Sequence, residues 1–177
     1  MILVTGGARS GKSTFAQSLF SETERVVYVA TAQIDDEEMA QRVALHRRSR
    51  PSAWRTVERP ADLSGILDGE DGCLLDCVTV FTSNVMFAHT AQYEHIPQAV
   101  QEETETEIKR QLDLLIDDAS ASHCRLVLVT NELGSGIVPE YHVSRVFRDL
   151  AGRVNQHLAR RADEVYLCVC GIPVKIK

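Results

Sequence analysis

The sequence predicts an α/β fold, a mostly parallel sheet with helices on both faces, built around a phosphate-binding loop. Three observations predict it. Short apolar runs alternate with longer stretches of helical periodicity. Most of those runs are continuously apolar, the pattern of strands covered on both faces. The first run feeds directly into Gly6-Gly7-Ala8-Arg9-Ser10-Gly11-Lys12-Ser13, which meets G-x-x-x-x-G-K-[ST] at every fixed position between a predicted strand and a predicted helix.

In chain order, Ile2-Leu3-Val4 is a buried strand closed by Gly6-Gly7. Residues 13–20 place Ala16, Leu19 and Phe20 on one side of a helix, and 26–30 is a second apolar strand. Residues 35–48 are polar and helical. Four acids (Asp35, Asp36, Glu37, Glu38) stand at the start and Arg47 and Arg48 at the end, an order that suits the helix dipole. A short strand is expected over 54–57, and 73–77 is a buried strand ending on an acid, Asp76. The spacing of Ile108, Leu112, Leu115, Ile116 and Ala119 predicts a long helix over 97–119. A strand over 126–130, a helix over 140–161, a strand over 165–169 and an edge strand at 173–177 complete the chain. With no internal repeat and no Pro/Gly-rich linker, residues 1–177 read as a single nucleotide-binding domain.

The composition bounds the function. A net charge of −6 argues against general nucleic-acid binding. No apolar run approaches the roughly 18–20 residues of a membrane span, and the N-terminus lacks the pattern of a signal peptide. The five cysteines (Cys73, Cys77, Cys124, Cys168, Cys170) form no CxxC pair and sit mostly in apolar runs. They read as reduced core residues of a cytoplasmic protein rather than zinc ligands.

The loop over 6–13 carries the first chemistry. Its glycines let backbone N–H groups turn inward around phosphate oxygens, and the following helix N-terminus adds its dipole. Lys12 reaches the terminal phosphates, and the Ser13 hydroxyl is a candidate Mg²⁺ ligand. Asp76, at the end of an apolar strand, is where an acid would hold Mg²⁺ directly or through water; the alternative is an ordinary strand-end Asp capping a helix. Thr130 to Pro139 is a polar, Gly-rich loop after a strand, either lining a substrate or merely connecting. There is no N-K-x-D to read guanine, which counts against a GTPase switch.

His46 stands among Arg47, Arg48 and Arg50 in an acidic protein. A surface histidine beside arginines is commonly a solvated face. The chemical reading is an imidazole, ordinarily with a pKa of about 6.5, kept neutral by neighbouring cations that also bind the phosphate it attacks.

Resemblance shifts the weight to the chemical reading. The chain resembles the bifunctional adenosylcobinamide kinase / adenosylcobinamide-phosphate guanylyltransferases of cobalamin biosynthesis, almost end to end. The residues that carry it are MILVTGGARSGKS (1–13), YVATAQ (28–33), Arg42-x₃-His46-x₃-Arg50-Pro51-x₂-Trp54-x-Thr56-x-Glu58, LLDCVT (74–79), Asn84, VTNELGSGIVPE (129–140), FRDLAGRVNQ (147–156), AD-x-V (162–165) and GIPVKIK (171–177). The resemblance implies a RecA-like fold and a homotrimer. It implies phosphorylation of adenosylcobinamide by ATP or GTP, then transfer of GMP from GTP through a guanylylated His46. It further implies nucleotide contacts at Thr31, Ala32, Gln33, Arg47, Arg48, Ser49, Arg50, Glu58 and Asp76. A P-loop kinase without nucleotidyl transfer, a non-catalytic nucleotide-binding regulator, or a homologue that keeps one activity stay open on sequence alone.

Overall fold

The computed structural model describes residues 1–33 and 51–177. The helix expected over 35–48 lies outside the described residues. Among the described residues, seven strands form one sheet: β1 (Ile2–Gly6), β2 (Val26–Ala30), β3 (Arg55–Glu58), β4 (Gly72–Asp76), β5 (Arg125–Val129), β6 (Glu164–Val169) and β7 (Ile172–Lys175), in the order β3-β2-β4-β5-β1-β6-β7. All neighbours are parallel except β6 and β7. The described helices are α1 (Lys12–Ser18), α2 (Val78–Thr90), α3 (Gln98–Ala121) and α4 (His142–Arg161). The expected architecture is therefore what the chain adopts. One strand, β5, separates the loop-bearing β1 from β4 with Asp76, as in a RecA-like sheet.

Side-chain alternation sorts the two faces. Leu3, Val27, Val29, Cys73, Leu75, Leu126, Leu128 and Val165 turn toward α2, α3 and α4, where Phe81, Met86, Ile108, Leu112, Leu115, Leu150, Val154 and Leu158 meet them. Their immediate neighbours Val4, Val26, Tyr28, Leu74, Val127, Val129 and Cys168 turn the other way, toward Ala16, Phe20 and Trp54. The four C-terminal residues of β5 and the first four of both β2 and β4 are buried, hence their unbroken apolar runs. At about 25 cal/mol per Å² of apolar area removed from water, this two-sided burial is the main favourable contribution to the fold.

Two elements add to the expectation. Helix α2 was not anticipated, although Val78, Phe81, Thr82, Val85 and Met86 are buried at i, i+3, i+4, i+7 and i+8. Its β-branched residues favour strands on propensity, and tertiary packing overrides them. The C-terminal strand returns antiparallel through the two-residue turn Cys170-Gly171, whose φ values of 52° and 82° fit the hairpin turn that matches strand twist. That turn lifts Cys170 out to solvent, so it departs from the buried cysteine pattern of the other four.

Candidate functional site

The parallel strands end together on one edge, and the register fixes who stands beside whom. Glu58 pairs with Ala30, Ala30 with Asp76, Asp76 with Val129, and Val129 with Val4. One row across the sheet thus carries two predicted nucleotide contacts, Glu58 and Asp76, and points at the start of the phosphate loop. Asp76 is two strand spacings, about 10 Å, from β1. It shares its face with Leu74, and so with α1 and the loop.

The loop is built by close backbone packing. At Gly6 a Cβ would lie 2.6 Å from both Cys168 O and Ser10 Oγ. At Gly11 the backbone is left-handed (φ 90°), and a Cβ would lie 3.0 Å from the Cα of Gly171. No other residue type meets both demands without strain. Gly171 in turn donates its N–H to Ser10 O at 3.0 Å, so the β6–β7 turn forms the outer wall of the loop. Gly7, Ala8 and Arg9 are exposed along the loop, Ser10 is buried, and Ser13 is half-buried on the first turn of α1. Lys12 turns back across the loop and donates to Gly7 O at 3.0 Å.

The strand edge beside the loop is fixed by polar contacts. Tyr28, buried in the α1-side core, donates its hydroxyl to Asp76 Oδ2 at 3.0 Å. Thr31 is fully buried, and its hydroxyl spans both backbone groups of Cys77, donating to O and accepting from N, each at 2.9 Å. Its side chain ties β2 to β4, leaving Ala32 and the exposed Gln33 nearer the solvent. Asn84 of α2 donates to Thr31 O at 2.8 Å and Pro60 O at 2.9 Å, clamping the exits of β2 and β3 together. Cys77 is a neutral thiol: burial and the Asp76 charge push it up to about 11, with the Lys12 ammonium acting in the opposite direction.

The loop after β5 is pinned on both sides. Asn131 N–H donates to Thr79 Oγ1 at 2.6 Å, and Asn155 Nδ2 donates to Asn131 O at 3.0 Å. Thr130 donates to Asn155 Oδ1 at 2.7 Å, and Glu132 N–H donates to Gly6 O at 3.1 Å. Arg148 donates to Gly134 O at 2.5 Å, and Arg145 holds Pro139 O at 3.0 Å. The polar loop is therefore a wall of the same edge, not a loose connection. Its far end leaves Ile137 96% exposed, with Val138 and Tyr141 also exposed.

The structure thus brings together Gly6 to Ser13, Thr31, Ala32, Gln33, Glu58 and Asp76 on one sheet edge. His46, Arg47, Arg48, Ser49 and Arg50 lie outside the described residues. Sequence reasoning missed Tyr28, the Thr79–Thr130–Asn155 network and Gly171. Tyr28 had a signal, a lone hydroxyl in an otherwise apolar buried run; a turn glycine far along the chain gave none.

Residues 2–176 match the model of the family described as cobinamide kinase / cobinamide phosphate guanyltransferase. The chain belongs to that family. It is 47% identical over 181 residues to the bifunctional adenosylcobalamin biosynthesis protein CobU of Salmonella typhimurium, covering 100% of this chain and 99% of that protein. It is 45% identical over 188 residues to the protein of the same name in Escherichia coli, with the same coverage. The CobP relative of Pseudomonas aeruginosa is 39% identical over 180 residues, 99% of this chain and 96% of that one. Among solved structures, an ATPase from the type III secretion system of pathogenic bacteria superposes with a TM-score of 0.50 at 12% identity, over 98% of this chain and 56% of that chain. That likeness is one of fold.

Proposed function

We propose that this cobinamide kinase / cobinamide phosphate guanyltransferase family member carries out both reactions on one nucleotide-binding domain spanning residues 1–177. First, the hydroxyl of the aminopropanol arm of adenosylcobinamide attacks the γ-phosphorus of ATP or GTP. The new P–O bond forms as the bridging bond to the β-phosphate breaks, the nucleoside diphosphate leaves, and the hydroxyl loses its proton. Second, the His46 imidazole attacks the α-phosphorus of GTP and pyrophosphate leaves. A phosphate oxygen of adenosylcobinamide phosphate then attacks the guanylyl phosphorus, the P–N bond breaks, and adenosyl-GDP-cobinamide is released.

The observation that carries this reading is the match over essentially the whole chain, joined to a phosphate loop whose edge also presents Asp76. Backbone N–H groups of residues 7–13 bind the phosphates, and Lys12 swings from Gly7 O to the terminal ones. Ser13 hydroxyl and Asp76 carboxylate are hard oxygen donors, the type Mg²⁺ takes together with phosphate oxygens. Bound there, Mg²⁺ supplies positive charge to the β- and γ-phosphates. Thr31, Ala32, Gln33 and Glu58 contact nucleotide from the β2–β3 side, and Arg47, Arg48, Ser49 and Arg50 neutralise phosphates around His46.

The protein works in the cytoplasm as a homotrimer. The exposed Ile137, Val138 and Tyr141, and Ile172 and Val174 on β7 with Ile176 just beyond it, are apolar surface of the kind subunit contacts cover.

The test is product analysis. With adenosylcobinamide, Mg²⁺ and ATP or GTP, the corrinoid gains one phosphoryl group by mass; with GTP it goes on to gain GMP. A protein that binds nucleotide yet leaves the corrinoid unmodified contradicts the reading.

A further inference from the structure

Between the phosphate loop on β1 and Asp76 on β4 lies only β5, and Asn131 stands two residues beyond its last residue, Val129. Alternation fixes the direction. Val127 and Val129 face the α1 side, so Asn131 faces it too, while Thr130 turns the other way to Thr79 and Asn155. The chain here runs alongside the loop strand, with Thr130 N–H on Val4 O at 2.9 Å and Glu132 N–H on Gly6 O at 3.1 Å.

The backbone and the side chain of Asn131 have different occupations. The backbone N–H and C=O are both held, by Thr79 and Asn155. The carboxamide is half-buried, and its one hydrogen bond among the described residues runs from Nδ2 to Cys77 Sγ at 3.9 Å. Sulfur is a weak acceptor. Cys77 is next in sequence to Asp76, so the carboxamide stands beside the strand end that carries that carboxylate. A strong double donor is thus parked on a poor acceptor between the groups assigned to the terminal phosphates, on a backbone that does not need it.

We infer that Asn131 is a catalytic residue of the phosphoryl-transfer step, its Nδ2 donating to a γ-phosphate oxygen of the bound nucleoside triphosphate. The inference rests on the kinase reading above and adds a residue to it. In the step, Asn131 neither gains nor loses a proton. Its N–H bonds follow the γ-phosphoryl oxygens as the bond to the β-phosphate breaks and the bond to the corrinoid hydroxyl forms, where a fixed donor has most effect. It also makes the site prefer a triphosphate to a diphosphate.

The loop-holding bonds use only the backbone of residue 131, so Asn131→Ala and Asn131→Asp keep the loop. The first readout is binding: the GTP/GDP affinity ratio by calorimetry, without corrinoid. Asn131→Ala lowers that ratio about tenfold, and Asn131→Asp, which sets a carboxylate against the phosphate, lowers it further. The second is kinetic. Corrinoid phosphorylation falls about 100-fold in kcat, while α-label from saturating GTP still reaches His46. A wild-type GTP/GDP ratio in both variants overturns the inference, as does an equal fall in phosphorylation and His46 labelling. Should wild-type protein fail to phosphorylate the corrinoid, the functional reading falls, and the affinity ratio still reports whether Asn131 touches the γ-phosphate.

Discussion

The hydroxyl of Tyr28 donates to Oδ2 of Asp76 at 3.0 Å, from a side chain only 2% exposed. A carboxylate at a strand end has two free rotors; this bond holds one of its oxygens, Oδ2, and so fixes the side chain. Groups behind a metal ligand typically change metal affinity 10–100-fold when removed. Tyr28→Phe is therefore expected to raise the Mg²⁺ concentration for half-maximal triphosphate binding about tenfold. It should cost stability only about 1 kcal/mol, since one hydroxyl is lost from a packed ring. A Mg²⁺ titration of nucleotide affinity and a thermal melt separate the two effects.

Asn84 carries two loop exits on one amide. Asn84→Ala leaves Thr31 O and Pro60 O without their donor. With roughly 1 kcal/mol or more per lost bond, the expected cost is about 2–3 kcal/mol in urea unfolding. Nucleotide affinity should weaken with it, through Thr31-Ala32-Gln33. Asn84→Asp should be worse, because it sets a carboxylate against two carbonyls.

The two glycines of the loop wall should rank. Gly11→Ala meets both a left-handed φ and the Gly171 backbone, and is expected to abolish nucleotide binding. Gly171→Ala meets only the φ cost of about 1 kcal/mol, with open space around its Cβ, and should bind nucleotide weakly but measurably. Equilibrium binding of a labelled nucleotide to both variants checks the order.

Thiol chemistry should distinguish Cys170 from the rest. It is exposed, whereas the other four cysteines are buried. Burial pushes Cys77 and Cys124 each up to about 11 and Cys73 higher still, so their thiolates are scarce at pH 8. Iodoacetamide at pH 8 is expected to modify one cysteine quickly, mapped by mass to Cys170, and all five only after denaturation.

Much of this architecture could be read along the chain. Continuous apolar runs at Val26–Ala30 and Leu126–Val129 announced central parallel strands, and the glycine-lysine-serine pattern announced the loop, because each is a local demand of backbone geometry or burial. What could not be read was long-range pairing. Tyr28 finds Asp76 across 48 residues, Asn84 finds Thr31 across 53, and Gly171 meets Ser10 from the far end of the chain. Strand order creates those meetings, and no local pattern encodes it. Helix α2 was hidden for another reason: Val78, Thr79, Val80 and Thr82 prefer strands until the sheet offers them a face to cover. The histidine block is the converse case. His46 lies outside the described residues, and its assignment rests on motif spacing and family membership.

That makes His46 the place to test the central claim. Protein with Mg²⁺ and without corrinoid is incubated in parallel with GTP labelled at the α- or the γ-phosphorus, quenched in base to preserve a phosphoramidate, and mapped by mass. The account predicts α-label on His46, no γ-label there, and loss of the label in His46→Ala. Nucleotide bound normally with no α-label on the protein would contradict it, and would leave a phosphate-loop kinase without guanylyl transfer.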